Sequence, residues 1–77
     1  MSRLVKIREK IERGESDANI RFDDACYLAE RLGFTRRIRG SHHLYQRGGL
    51  FINLQNRNGK IPPYQAAQIR DILRELK

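Results

Sequence analysis

The sequence predicts a single α+β domain: a small three-stranded antiparallel sheet with helices packed on one face. Two observations carry this. Apolar residues recur at helical spacing near both ends of the chain, and at a spacing of two through residues 34–54. The strand-like stretch is broken at glycines, and Gly48-Gly49 is a hairpin signal. A chain of 77 residues, read as one domain over 1–77, has room for one hydrophobic core and not two. Three short strands need a covering layer, which the helices supply.

Taken in order, residues 3–13 form a helix whose Leu4, Ile7 and Ile11 make one apolar stripe. Ser2 caps it and Gly14 ends it. Residues 15–19 are a polar loop. A second helix is expected over 23–32, with Asp23 or Asp24 as N-cap, Phe22 stapled onto Tyr27, and Gly33 as the stop. Cys26, Leu28, Ala29 and Leu32 can face a core. The period then becomes two. Phe34, Arg36 and Ile38 share one face of a strand, and Thr35, Arg37 and Arg39 share the other. A second strand over 42–47 holds Leu44 and Tyr45. A third, over 50–54, alternates Leu50, Ile52 and Leu54 against Phe51 and Asn53. Residues 56–59 are a turn or loop. Pro62-Pro63 starts a last helix over 63–76, with Ala66, Ile69, Leu73 and Leu76 at i, i+3, i+7 and i+10. The last five elements, α-β-β-β-α, have the order of a double-stranded-RNA-binding fold, preceded by an additional N-terminal helix. One sheet face then stays open to solvent or to a partner.

The net charge of +7 is unevenly placed. Residues 1–30 carry six basic and seven acidic side chains. Residues 31–70 carry Arg31, Arg36, Arg37, Arg39, Arg47, Arg57, Lys60 and Arg70, and no carboxylate. An arginine-rich stretch of one sign suits a polyanion, because guanidinium binds phosphate bidentately. Nucleic acid is the default partner. An anionic membrane surface fits less well, since these residues lie among strands and turns rather than on an amphipathic helix. The longest uncharged stretches, 48–56 and 61–69, are too short and polar to cross a bilayer. The N-terminus has no apolar signal-peptide core, and the single cysteine, Cys26, cannot form an internal disulfide. A cytoplasmic protein without a membrane partner is expected.

The chemistry concentrates in Arg36-Arg37-Ile38-Arg39-Gly40-Ser41-His42-His43. Neighbours on a strand point to opposite faces, so His42 and His43 serve one site only if the strand bulges, which Gly40 permits. One histidine is then packed or hydrogen-bonded, and the other is exposed among arginines. A neutral imidazole can take the proton of an RNA 2′-hydroxyl, while cations stabilise the charge growing on phosphorus. No cofactor is implied, and one cysteine with two adjacent histidines lacks the spacing of a metal site. Ser41 reads as a phosphate-binding or turn-stabilising hydroxyl rather than a nucleophile. Lys60, just ahead of the last helix, reads as part of a phosphate corner. Tyr64 and Gln65 can stack on or bond to a base.

Six blocks together resemble the HicA family of bacterial toxins. They are Asn19-Ile20-Arg21-Phe22-Asp23, Leu32-Gly33-Phe34, Arg39-Gly40-Ser41-His42-His43, Asn53-Leu54-Gln55, Gly59-Lys60 and Pro63-Tyr64-Gln65. The likeness covers residues 19–76. It implies a double-stranded-RNA-binding-like fold and an endoribonuclease that cuts mRNA as the toxin of a type II toxin–antitoxin pair. It also implies a HicB-like antitoxin partner. The family's catalytic histidine follows Gly-Ser, which here is His42. Arg36, Arg37, Arg39, Gly40, Ser41, Lys60 and Tyr64 are the expected RNA-binding residues. Because Arg36 and Arg37 face opposite ways, only some of the basic residues are expected beside His42. The chain departs from shorter members in having Asn53-Leu54-Gln55 where they carry Pro-x-His, and in its helix over 3–13, which marks a divergent branch. The alternative is an RNA-binding module of the same fold without catalysis.

Overall fold

The first helix forms where both of its ends are satisfied. In a computed structural model, which describes residues 2–76, α1 (Arg3–Arg13) begins at Ser2, whose Oγ accepts the Val5 amide at 3.2 Å, and stops at Gly14. Lys10 and Arg13 in its last turn suit the partial negative charge of a helix C-terminus. Ile7 and Ile11 are its buried stripe.

The stretch read as a polar loop contains a 3-10 helical turn, Asp17–Asn19. It is held from a distance. Arg70 donates to both carboxylate oxygens of Asp17 at 3.0 Å and to the Ile11 carbonyl at 2.9 Å. Arg70 is therefore engaged within the fold and does not add to a free basic surface.

α2 (Phe22–Arg31) starts one residue before the expected cap. Neither Asp23 nor Asp24 caps it. The N-cap position is Arg21, and the Phe22 amide donates to the Gly59 carbonyl at 2.9 Å. A tertiary acceptor thus replaces a capping side chain, and the two aspartates sit in the first turn, where the helix dipole favours them. The Phe22 ring packs edge-on against His43, with centroids 4.9 Å apart. Tyr27 carries the Arg3 guanidinium 4.2 Å from its centroid.

The sheet is a meander in the order β1 (Thr35–Arg39), β2 (His42–Arg47), β3 (Leu50–Gln55), all antiparallel. Two-residue turns, Gly40-Ser41 and Gly48-Gly49, close the two hairpins. In each, the leading glycine has φ of +58°, as the first central residue of a II′ turn requires. The register runs one to one through both pairs, so no bulge brings the two histidines together.

Cross-strand partners share a face. Arg36–Tyr45–Ile52 and Ile38–His43–Leu54 lie on the helix side, where Tyr45, Ile52 and Leu54 are fully buried. Thr35–Gln46–Phe51, Arg37–Leu44–Asn53 and Arg39–His42–Gln55 lie on the other side.

α3 (Pro63–Glu75) opens with proline at its first position and buries Ala66, Ile69, Ile72 and Leu73. It packs on β3, as does α2, while α1 lies against α2 and α3. One hydrophobic cluster runs through all these elements. The helix additional to the α-β-β-β-α order therefore extends the helical layer and leaves the far sheet face open. Among the described residues, no helix is long and apolar enough to cross a membrane.

Candidate functional site

His42 opens β2 directly after the Gly40-Ser41 turn, and alternation along the strand places it on the open face. Its ring is half-buried and held at both nitrogens. Nδ1 lies 3.0 Å from Asn53 Oδ1, and Nε2 lies 3.3 Å from Gln55 Nε2.

One backbone bond sorts the donors from the acceptors. The Gln55 amide N–H donates to Gln65 Oε1 at 2.9 Å, which fixes the orientation of the Gln65 carboxamide. Gln65 Nε2 then donates to Gln55 Oε1 at 3.1 Å, and Tyr64 Oη donates to the same oxygen at 3.2 Å. Gln55 is left with its NH₂ turned to His42. The network accordingly assigns the His42 proton to Nδ1, donated to Asn53, and a lone pair to Nε2. Gln65 is fully buried, so this orientation is set inside the protein and not by solvent.

Around His42 the surface is cationic. Arg39 is its direct cross-strand neighbour, and Arg37 lies one row along the same face. Both are exposed, and among the described residues neither takes part in an ion pair. Gly40 and Ser41 are exposed in the adjoining turn. Tyr64, 60% exposed, joins the cluster through Gln55.

One expected member falls elsewhere. Arg36 lies on the helix side, in a groove of about 380 Å3 between α2 and β1 that Phe22, Cys26, Glu30 and His43 also line. It does not share a face with His42. Lys60, just ahead of α3, is exposed, and its Nζ donates to Asn19 Oδ1 at 3.0 Å, which leaves two further N–H donors on the ammonium. Tyr45 Oη donates to Glu30 Oε2 at 3.0 Å. Burial pushes both the Cys26 thiol and the Tyr45 phenol up from their ordinary values, so both stay protonated at neutral pH. His43 Nδ1 is buried with no hydrogen-bond partner among the described residues.

Residue type and charge do not single out Asn53 and Gln55 as partners of the histidine, or Gln65 as the group that orients Gln55. Their signal was present as two blocks, Asn53-Leu54-Gln55 and Pro63-Tyr64-Gln65, whose members meet only in the folded chain. No three His, Cys, Asp or Glu side chains among the described residues come together as a metal-ligand set. Comparison with protein-family models, curated proteins and solved structures finds no match, so the site is read from its own geometry and chemistry.

Proposed function

We propose that this chain is a HicA-like endoribonuclease that cuts mRNA, acting as the toxin of a type II toxin–antitoxin pair with a HicB-like antitoxin as partner. The observation that carries the reading is an imidazole with an oriented Nε2 lone pair, set among arginines on a sheet face whose strand residues include no carboxylate.

The chemistry follows from that arrangement. A 2′-hydroxyl takes the place of Gln55 at His42 Nε2, whose 3.3 Å contact is long for a hydrogen bond and is readily exchanged. Nε2 accepts the hydroxyl proton while the 2′-oxygen bonds to the adjacent phosphorus. The bond from phosphorus to the 5′-oxygen breaks, and that oxygen leaves with a proton from water. The products are a 2′,3′-cyclic phosphate and a 5′-hydroxyl. Asn53 Oδ1 holds the Nδ1 proton as the ring becomes positive, and the Arg37 and Arg39 charges offset the charge gathering on phosphorus. The nucleophile comes from the substrate, so the reaction needs no metal-activated water.

The test uses purified wild type and His42→Ala with a mixed-sequence RNA in EDTA. Wild type is expected to release fragments, and His42→Ala to lose at least about 100-fold in rate while still binding RNA. Equal cleavage by both proteins would move the base elsewhere. RNA bound but uncut by wild type would make the chain a non-catalytic RNA-binding module.

A further inference from the structure

Strand pairing lays nine side chains in three rows across the open face. At one end is Thr35–Gln46–Phe51, in the middle Arg37–Leu44–Asn53, and at the other end Arg39–His42–Gln55. Residues two apart on a strand are separated by roughly 6.6 Å, so the Phe51 row lies about 13 Å from the His42 row. A depression of about 190 Å3 reaches from the first row to Arg39 of the third, lined by Leu44 and Phe51 together with Arg37, Asn53 and Gln68 of α3. The Phe51 ring is 59% exposed.

A single exposed phenyl ring is ordinary on a protein surface. This one borders an apolar hollow with guanidinium and carboxamide groups at its rim. That is the set an unpaired base uses: a ring to stack on, donors and acceptors for its edge, and cations for the flanking phosphates. We propose that the open face is a platform for single-stranded RNA, with a base stacked on Phe51, phosphates held by Arg37 and Arg39, and the strand running on to His42. The choice of ligand rests on the ribonuclease reading above. A duplex fits this face poorly, because paired bases hide the surfaces that stacking needs.

The test is fluorescence anisotropy with a labelled 2′-O-methyl oligonucleotide, free and annealed to its complement. This probe lacks the 2′-hydroxyl and is not cut, so binding is read apart from cleavage. The single strand is expected to bind at least about tenfold more tightly than the duplex, and Phe51→Ala to weaken it by about tenfold. Phe51→Trp keeps wild-type binding. So does Ile38→Ala, which alters another exposed apolar residue, 57% exposed on the opposite face. Wild-type affinity in Phe51→Ala, or tighter binding of the duplex, would overturn the platform. Displacement of the oligonucleotide by poly-glutamate at equal charge would assign the face to an acidic protein and overturn it as well. The same variants are assayed on unmodified RNA. Cleavage through His42 with binding indifferent to Phe51 refutes the platform alone. Phe51-dependent single-strand binding without cleavage by wild type upholds the platform and refutes the ribonuclease.

Discussion

On the open face of the sheet, His42 has both ring nitrogens in contact with carboxamides, Asn53 at Nδ1 and Gln55 at Nε2, and the buried Gln65 fixes the orientation of Gln55. On the helix-covered face, His43 packs its ring against Phe22 and leaves Nδ1 buried without a hydrogen-bond partner among the described residues. The two residues are adjacent in the chain and have the same side chain. The difference shows how to separate a polar group held for orientation from one tolerated for its shape. A network of bonds costs several ordered side chains and has value where one nitrogen must present a lone pair in one direction. A buried nitrogen without a partner costs about 1–3 kcal/mol, and its ring is retained here for packing.

The sharpest way to break this comparison is to substitute each histidine alone. His42→Ala is expected to cost at least about 100-fold in RNA cleavage and to shift the melting midpoint by no more than about 2 °C. His43→Phe keeps an aromatic edge against Phe22 and removes the unpartnered nitrogen. It should cleave within about twofold of wild type and melt at the same temperature or higher. A loss of cleavage in His43→Phe, measured with a melting curve showing it folded, would end the division of labour between the two faces.

A smaller effect is expected one step behind His42. Gln65→Leu leaves the Gln55 amide N–H and its carboxamide oxygen short of a partner, at a cost of about 1–3 kcal/mol in stability. Gln55 is then held only by the exposed Tyr64 hydroxyl, and can turn its oxygen towards His42 and draw the imidazole proton to Nε2. Cleavage should fall by about tenfold in kcat with little change in KM, because RNA binding does not use the buried amide. Urea melts and steady-state kinetics on the same preparation read the two losses separately. An unchanged kcat would show that the orientation of Gln55 does not govern His42.

Much of this architecture is legible in the sequence. The three strands and the outer two helices follow from periodicity, and strand alternation alone separated Arg36 from Arg37 and His42 from His43. The start of α2 was off by one residue, because its first amide is satisfied by the Gly59 carbonyl, a tertiary partner that no local capping rule can find. Helical order over 17–19 was missed for a related reason, since Arg70 supports that turn from the last helix. At the site, His42 and the arginines beside it stand out by charge and residue type. Asn53, Gln55 and Gln65 do not, because a glutamine that sorts donors from acceptors looks in sequence like any other glutamine. The bond of Lys60 to Asn19 is likewise a tertiary contact that its place before a helix does not reveal.

The last expected effect is the smallest and concerns stability without chemistry. Arg70 and Asp17 are about four-fifths buried and form a two-pronged pair on the helical side of the molecule. The Arg70 guanidinium holds the Asp17 carboxyl below its ordinary value, and Asp17 in turn holds the guanidinium above its own. A carboxylate lowered on folding contributes stability that is fully present above its unfolded value, near 3.9, and is lost as the pH falls through the lower folded value. Asp17→Asn should therefore lower stability by about 1–2 kcal/mol at pH 7, and the gap to wild type should narrow as the pH drops below about 4. Urea melts across that range measure the gap. Cleavage at 25 °C and neutral pH should not change, since the bonds that orient His42 do not pass through this pair. A gap that stays constant into acid would mean that the pair contributes by packing rather than by charge. A parallel fall in cleavage would mean that the helical layer and the open face are coupled, and that the two sides of the sheet cannot be treated as independent.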